Sequence, residues 1–203
     1  DETRIKRAKK IFSAEKAAED GIELIYTTES DAEKLKALIA GAGFDDVFVY
    51  APVASVVETA DRILAFDGCL NFFAGPTDKT FSAKFNFYDV HYARKHVVGT
   101  SGSLVEDMKG IIEYIGKKRI DPAVMVTHIG GIDSAIDTTL NLPKIPGGKK
   151  LIYTHINMPL TAIEEFAEKG KTDARFRKLA EIVKKNNGLW CAEAENYLLD
   201  NFQ

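Results

Sequence analysis

Between Ile22 and Lys117, short apolar runs alternate with longer amphipathic stretches, and this alternation constrains the fold more than any other feature. Residues 22–27, 46–51, 68–74 and 96–100 read as strands. Helices are expected over residues 30–41, 53–66 and 103–117. Ser30 with Glu33, and Ser103 with Glu106, have the spacing of a capping box, in which each end of the motif satisfies a free helix-start amide. The last helix carries Leu104, Met108, Ile111, Ile112 and Ile115 as a one-sided stripe. Residues 77–94 are rich in aromatics, with Phe81, Phe85, Phe87, Tyr88 and Tyr92, and show no clear period. Strands joined through helices make right-handed crossovers, so the expectation is an α/β fold with a parallel sheet and flanking helices. The near-continuous apolar strands suit a sheet covered on both faces.

The flanks follow other rhythms. Ile5, Ala8, Ile11 and Phe12 recur at helical spacing, and a second helix over 13–20 stops at Gly21. Beyond Lys117 a strand is expected at 124–129, then Gly130-Gly131 and a short helix to about 140. A loop with Pro143, Pro146, Gly147 and Gly148 leads to a strand at 149–156. Helices close the chain at 161–168, opened by Thr161 with Glu164, and at 172–186 and 191–202. Two parts are expected, residues 1–117 and residues 118–203.

Lys and Arg total 27 against 30 Asp and Glu, a net charge of −3, which argues against a protein that wraps nucleic acid. No apolar run approaches the ~18 to 20 residues of a membrane span. Cys69 and Cys191 are too few for a disulfide framework and point to a reducing, cytoplasmic setting. His91, His96, His128 and His155 form no HxH or HExxH pattern, and no cysteine stands at ligand spacing from them, so no zinc site is expected within the chain. Ser101 and Ser103 lack the surroundings of a nucleophile elbow. Lys117-Lys118-Arg119 ends a helix, where positive charge suits the macrodipole.

Ligands of open α/β sheets bind outside the carboxyl ends of the strands. Those ends read Ala51-Pro52-Val53, Ala74-Gly75-Pro76 and Thr100-Ser101-Gly102. Small residues there either admit a flat ligand or simply end the strands. The glycine-rich phosphate turn that opens a dinucleotide-binding βαβ unit is absent, as is the pattern of a P-loop.

The segments GCLNFFAGPTD, NFYDVHY, HVVGTSG and DPAVMVTHIGGIDSAIDTTLNLPKIPGGKKLIYTHI occur in that order from Gly68 to Ile156. Together they closely resemble the C-terminal half of zinc-dependent medium-chain dehydrogenases. Within that family the likeness is to the sorbitol dehydrogenase-like branch that includes sorbose-1-phosphate reductases. It extends over nearly the whole chain.

The resemblance implies a Rossmann-like parallel sheet that lacks its first strands, followed by a return segment and C-terminal helices. The chain opens at Asp1 directly in helical text, and is expected to be the C-terminal portion of a longer enzyme. Such enzymes carry an N-terminal catalytic domain with the zinc ligands and bind NAD or NADP across the sheet. Zinc would then belong to the full-length parent and not be ligated here. By position, Arg4 matches a basic residue near the adenosine ribose, while Val49, Ala51 and Pro52 line the nicotinamide side. Phe73, Ala74 and Gly75 approach the carboxamide through backbone groups. Val98, Gly99 and Thr100 end the next strand. Lys149 or Lys150 matches a basic residue facing the pyrophosphate, or both are solvated. Arg4, Lys6 and Arg7 either serve a 2′-phosphate or form the polar face of the first helix.

The implied activity is hydride transfer between nicotinamide and an alcohol or carbonyl of a polyol or sugar phosphate, in a homo-oligomer without nucleic-acid or membrane partners. This chain alone is expected to be inactive. Without the first two strands, residues 23–27 would lose their neighbour while the next three strands stay contiguous. The competing reading is a non-catalytic binding or subunit-association module.

Overall fold

A computed structural model describes residues 2–202. The chain forms two compact units, Asp1–Val105 and Glu106–Gln203.

The first unit opens with α1 (Glu2–Ile11) and α2 (Ala14–Glu19). Ser13 caps α2, its hydroxyl accepting the Lys16 amide at 3.1 Å. Residues 22–30 join no β-ladder, contrary to the strand expected at 22–27. Apolar alternation there offers a pairing edge, but a strand exists only when a neighbour takes up its amides and carbonyls. The helix that follows is α3 (Ala32–Ala37), and its cap is Asp31, not Ser30. The Asp31 carboxylate accepts the amides of Glu33 and Lys34, while Glu29 accepts those of Ser30 and Asp31. A carboxylate one residue on has displaced the serine as the first acceptor.

The sheet then follows as β1 (Phe44–Val49), α4 (Ala54–Ile63), β2 (Leu64–Phe72), α5 (Phe87–Tyr92) and β3 (His96–Gly99). The strands are parallel in the order β1-β2-β3. The expected helix over 53–66 ends at Ile63 because Leu64 already pairs with Phe44, ahead of an irregularity that delays regular pairing to Cys69. Val49, Ala60, Leu64 and Leu70 form a small core between α4 and the sheet. This arrangement is Rossmann-like.

In the second unit α6 (Val105–Gly116) begins two residues past Ser103. Its apolar stripe stays open, with Met108 at 54% and Ile112 at 68% exposure. Amphipathic periodicity specifies a face that favours cover, not what covers it. A short 3-10 turn, Pro122–Met125, leads to β4 (Val126–Gly131), then α7 (Ala135–Asn141) and β5 (Lys149–Tyr153). Strand β5 lies parallel to β4 on one side. On the other side β6 (Thr161–Ala162) is antiparallel to it. Thr161 therefore does not cap a helix. It is fully buried in β6, its hydroxyl donating to the Pro159 carbonyl, and α8 (Phe166–Lys169) starts only after a 3-10 turn.

The chain ends with α9 (Ala174–Lys185) and α10 (Ala192–Asn201). Phe176, Leu179, Ile182 and Val183 face inward from α9, and Ala194 and Leu198 from α10. They pack with Ile129, Met158, Phe166 and Trp190 into the larger core. Each such side chain contributes roughly 1.5–3 kcal/mol through burial. Among the described residues no helix is long and apolar enough to cross a membrane.

Candidate functional site

Three parallel strands end side by side. Val49 closes β1 opposite Phe72 of β2, and Phe72 lies opposite Gly99 at the end of β3. This register gathers Val49, Ala51, Pro52, Phe73, Ala74, Gly75, Val98, Gly99 and Thr100 along one edge, at the carboxyl ends where such sheets receive ligands.

The main chain holds the row in place. The Val49 carbonyl accepts the amides of Phe73 at 3.0 Å and Ala74 at 2.9 Å, tying the outgoing loop of β2 to the end of β1. Past β1, the Val53 amide donates to the Ala51 carbonyl at 2.9 Å, forming a tight turn over Pro52. Within the row, Val49 and Ala74 are buried. A Cβ at Gly75 would meet nothing within 4 Å, and one at Gly99 only the Phe72 carbonyl at 3.7 Å. Both glycines therefore border open space.

Exposed aromatic rings flank this edge, a feature that strand-end composition did not suggest. Tyr50 is 71% exposed and meets Phe73 edge-on at 5.6 Å, with Phe48 stacked on its other side at 6.4 Å. The alternation Phe48, Tyr50 was the available signal, since residues two apart in extended chain point the same way. None of the row's own side chains titrates. The edge can hold a planar ring by apolar contact and main-chain groups, and supplies no acid or base.

Two expected residues lie outside the row. Arg4 is exposed on α1. Lys149 is the exposed first residue of β5, in the other unit. Its neighbour is committed elsewhere: Lys150 Nζ donates to the carbonyls of Ile145, Pro146 and Gly148. Burial holds the Lys150 ammonium below the usual lysine range. Lys149, by contrast, is solvent-facing.

His128 stands in β4 with its Nδ1 2.9 Å from the Thr127 hydroxyl. Burial, then the nearby Lys150 charge, pushes the imidazole below its ordinary value, so it favours the neutral form. Among the described residues no three His, Cys, Asp or Glu side chains gather as a metal site.

A buried ionic cluster supports the sheet behind the row. Lys95, 7% exposed, donates to the Asp61 carbonyl at 2.6 Å, to Asp61 Oδ1 at 3.1 Å and to Asp89 Oδ2 at 3.2 Å. Asp61 Oδ2 also accepts the Asn86 amide. These bonds tie α4 and α5 to the chain entering β3. The sequence signal was an acid on the apolar face of α4, three or four residues from Val57 and Leu64.

Residues 5–117 match the profile of the zinc-binding dehydrogenase family. The chain is 50% identical over 204 residues to a mannitol-1-phosphate 5-dehydrogenase of Aliivibrio fischeri, covering 98% of this chain and 48% of that protein. It is 48% identical over 171 residues to an L-sorbose 1-phosphate reductase of Klebsiella pneumoniae, covering 84% of this chain and 40% of that one. The chain thus spans less than half the length of these relatives. The fold is similar to that of a benzyl alcohol dehydrogenase from Acinetobacter calcoaceticus, with a TM-score of 0.52 at 16% identity over 62% of this chain and 34% of that one. A parallel sheet whose strand ends form a small-residue row, and a family profile matched over more than half of the chain, lead to one assignment: the chain belongs to the zinc-binding dehydrogenase family.

Proposed function

We propose that this chain is the cofactor-binding and C-terminal portion of a zinc-dependent, NAD(P)-linked dehydrogenase or reductase acting on a polyol or sugar phosphate. The in-register row at the carboxyl ends of β1, β2 and β3 carries this reading. Val49, Ala51 and Pro52 flank the nicotinamide ring and exclude water from one side of it. Main-chain groups of Phe73, Ala74 and Gly75 orient its carboxamide, and Val98, Gly99 and Thr100 border its other end. Arg4 serves the adenosine ribose. Bound there, the nicotinamide supplies hydride exchange with an alcohol or carbonyl carbon. The two sugar-phosphate relatives support the substrate class. Zinc ligation falls to residues outside this chain, which by itself binds cofactor without turnover.

The reading includes a homo-oligomer in the cytoplasm. The oligomer's support is the edge position of β3, which among the described residues pairs only with β2, since a bare strand edge favours pairing.

Calorimetric titration of the intact protein with NADH and NADPH tests the proposal. Wild-type protein is expected to bind one of them saturably. Gly99→Trp, which fills the row, is expected to weaken binding at least ~10-fold without lowering the melting temperature. A wild-type protein that binds neither cofactor overturns the reading.

A further inference from the structure

We propose an acid-sensitive latch in the second unit: when His128 takes up a proton, the Lys150 ammonium releases the loop 145–148 and the loop opens. His128 of β4 and Lys150 of β5 are direct partners in the parallel ladder, so their side chains leave the sheet on the same face. The next pair, Ile129 and Leu151, faces the other way, into the larger core.

The closed state rests on one ammonium. Lys150 Nζ donates to the Ile145 carbonyl at 3.2 Å, the Pro146 carbonyl at 2.9 Å and the Gly148 carbonyl at 2.8 Å. These three acceptors are neutral, so they satisfy the donors without cancelling the charge. The loop they hold is seated closely on the chain entering β4. A Cβ at Gly147, where φ is +90°, would meet the Thr127 side chain at 2.9 Å, and one at Gly148 would collide with the Met125 carbonyl. Thr127 Oγ1 lies 2.9 Å from His128 Nδ1 and 3.4 Å from the Lys149 carbonyl, linking the imidazole to the start of β5.

Few charges face His128. Lys150 does so from β5, and Glu165 and Glu164 from the turn after β6. Asp133, on the turn after β4, is committed to the Met158 amide at 2.8 Å, beside the bond from the Gly131 amide to the Met158 carbonyl at 2.8 Å. Lys149 alternates to the opposite face. Burial and Lys150 outweigh the two glutamates and keep the imidazole neutral while the loop is closed. Like charges directly across a ladder repel. Once Lys150 leaves with the loop, His128 loses that repulsion and part of its burial, and its proton affinity rises toward the ordinary imidazole value. The open form therefore binds the proton more tightly. Acid shifts the equilibrium toward it, and above the ordinary imidazole range the loop stays closed.

Hydrogen exchange of the intact protein, read by mass spectrometry and corrected for intrinsic rates, tests this at about pH 7.5 and about pH 5.5, between which imidazoles titrate and ordinary carboxylates stay ionised. Protection over residues 142–151 is expected to fall at least ~3-fold at the lower pH in wild type, while α9 keeps its protection. His128→Gln, neutral at both pH values, is expected to keep the loop protected at both. Lys150→Met is expected to lose that protection at both. The His128 Cε1 proton, followed by NMR in wild type, is expected to titrate with the midpoint at which the loop opens. The proposal is overturned if wild-type protection is the same at both pH values, if His128→Gln still loses it in acid, if Lys150→Met keeps it, or if the two midpoints differ by more than about one pH unit.

Discussion

Lys95 lies in the charged run Arg94-Lys95-His96, yet it is among the most buried residues of the first unit. Its neighbours behave as expected of a surface: Arg94 and His96 both approach the exposed Asp67, which His96 first and Arg94 second hold below the usual carboxylate range. Charge type in a sequence does not report on which side of a strand entrance a side chain turns. Lys95→Met is expected to cost about 3–5 kcal/mol, because Asp61 keeps its burial and loses its counter-charge. Urea unfolding checks this, and a loss under about 1 kcal/mol, the range of an exposed pair, would show that the cluster is solvated. Lys149 and Lys150 teach the same lesson. Adjacent in sequence and alike in chemistry, they are separated by strand alternation, one outward and one into three carbonyls.

At the scale of elements, local patterns succeeded where a helix carries its own hydrogen bonds. The stripes over 172–186 and 191–202 became α9 and α10 with their apolar faces inward. Patterns that depend on a neighbour were less secure. Residues 22–27 have strand alternation and no ladder, and Thr161 with Glu164 has capping spacing but serves a strand beside β4. The Gly130-Gly131 pair shows how one element admits another. Gly131→Ala would set a methyl 2.5 Å from the Met158 amide nitrogen, and main chain cannot yield as a flexible side chain does. The expected cost is about 1–3 kcal/mol, read as a lower urea midpoint. Unchanged stability would mean that the 156–158 segment is not held as described.

At the scale of the whole molecule, the boundary between the units falls at Val105 and Glu106, after the exposed stretch Ser101-Gly102-Ser103-Leu104. Exposed connections with little secondary structure are preferred cleavage sites. Limited elastase digestion is therefore expected to cut first within residues 100–105, giving two fragments of similar mass by mass spectrometry. A first cut inside α9 or β4 would count against two separate units. The amino-acid sequence alone determined the α/β class, the composition of the strand ends and, through its motifs, the family, because these depend on periodicity and on short contiguous runs. It did not determine that the strand ends stand in register as one row, that Asp61 captures Lys95, or that Lys150 and not Lys149 is spent on three carbonyls. Each of those depends on which distant segments share a hydrogen bond or a buried contact, and only the folded chain brings those partners together.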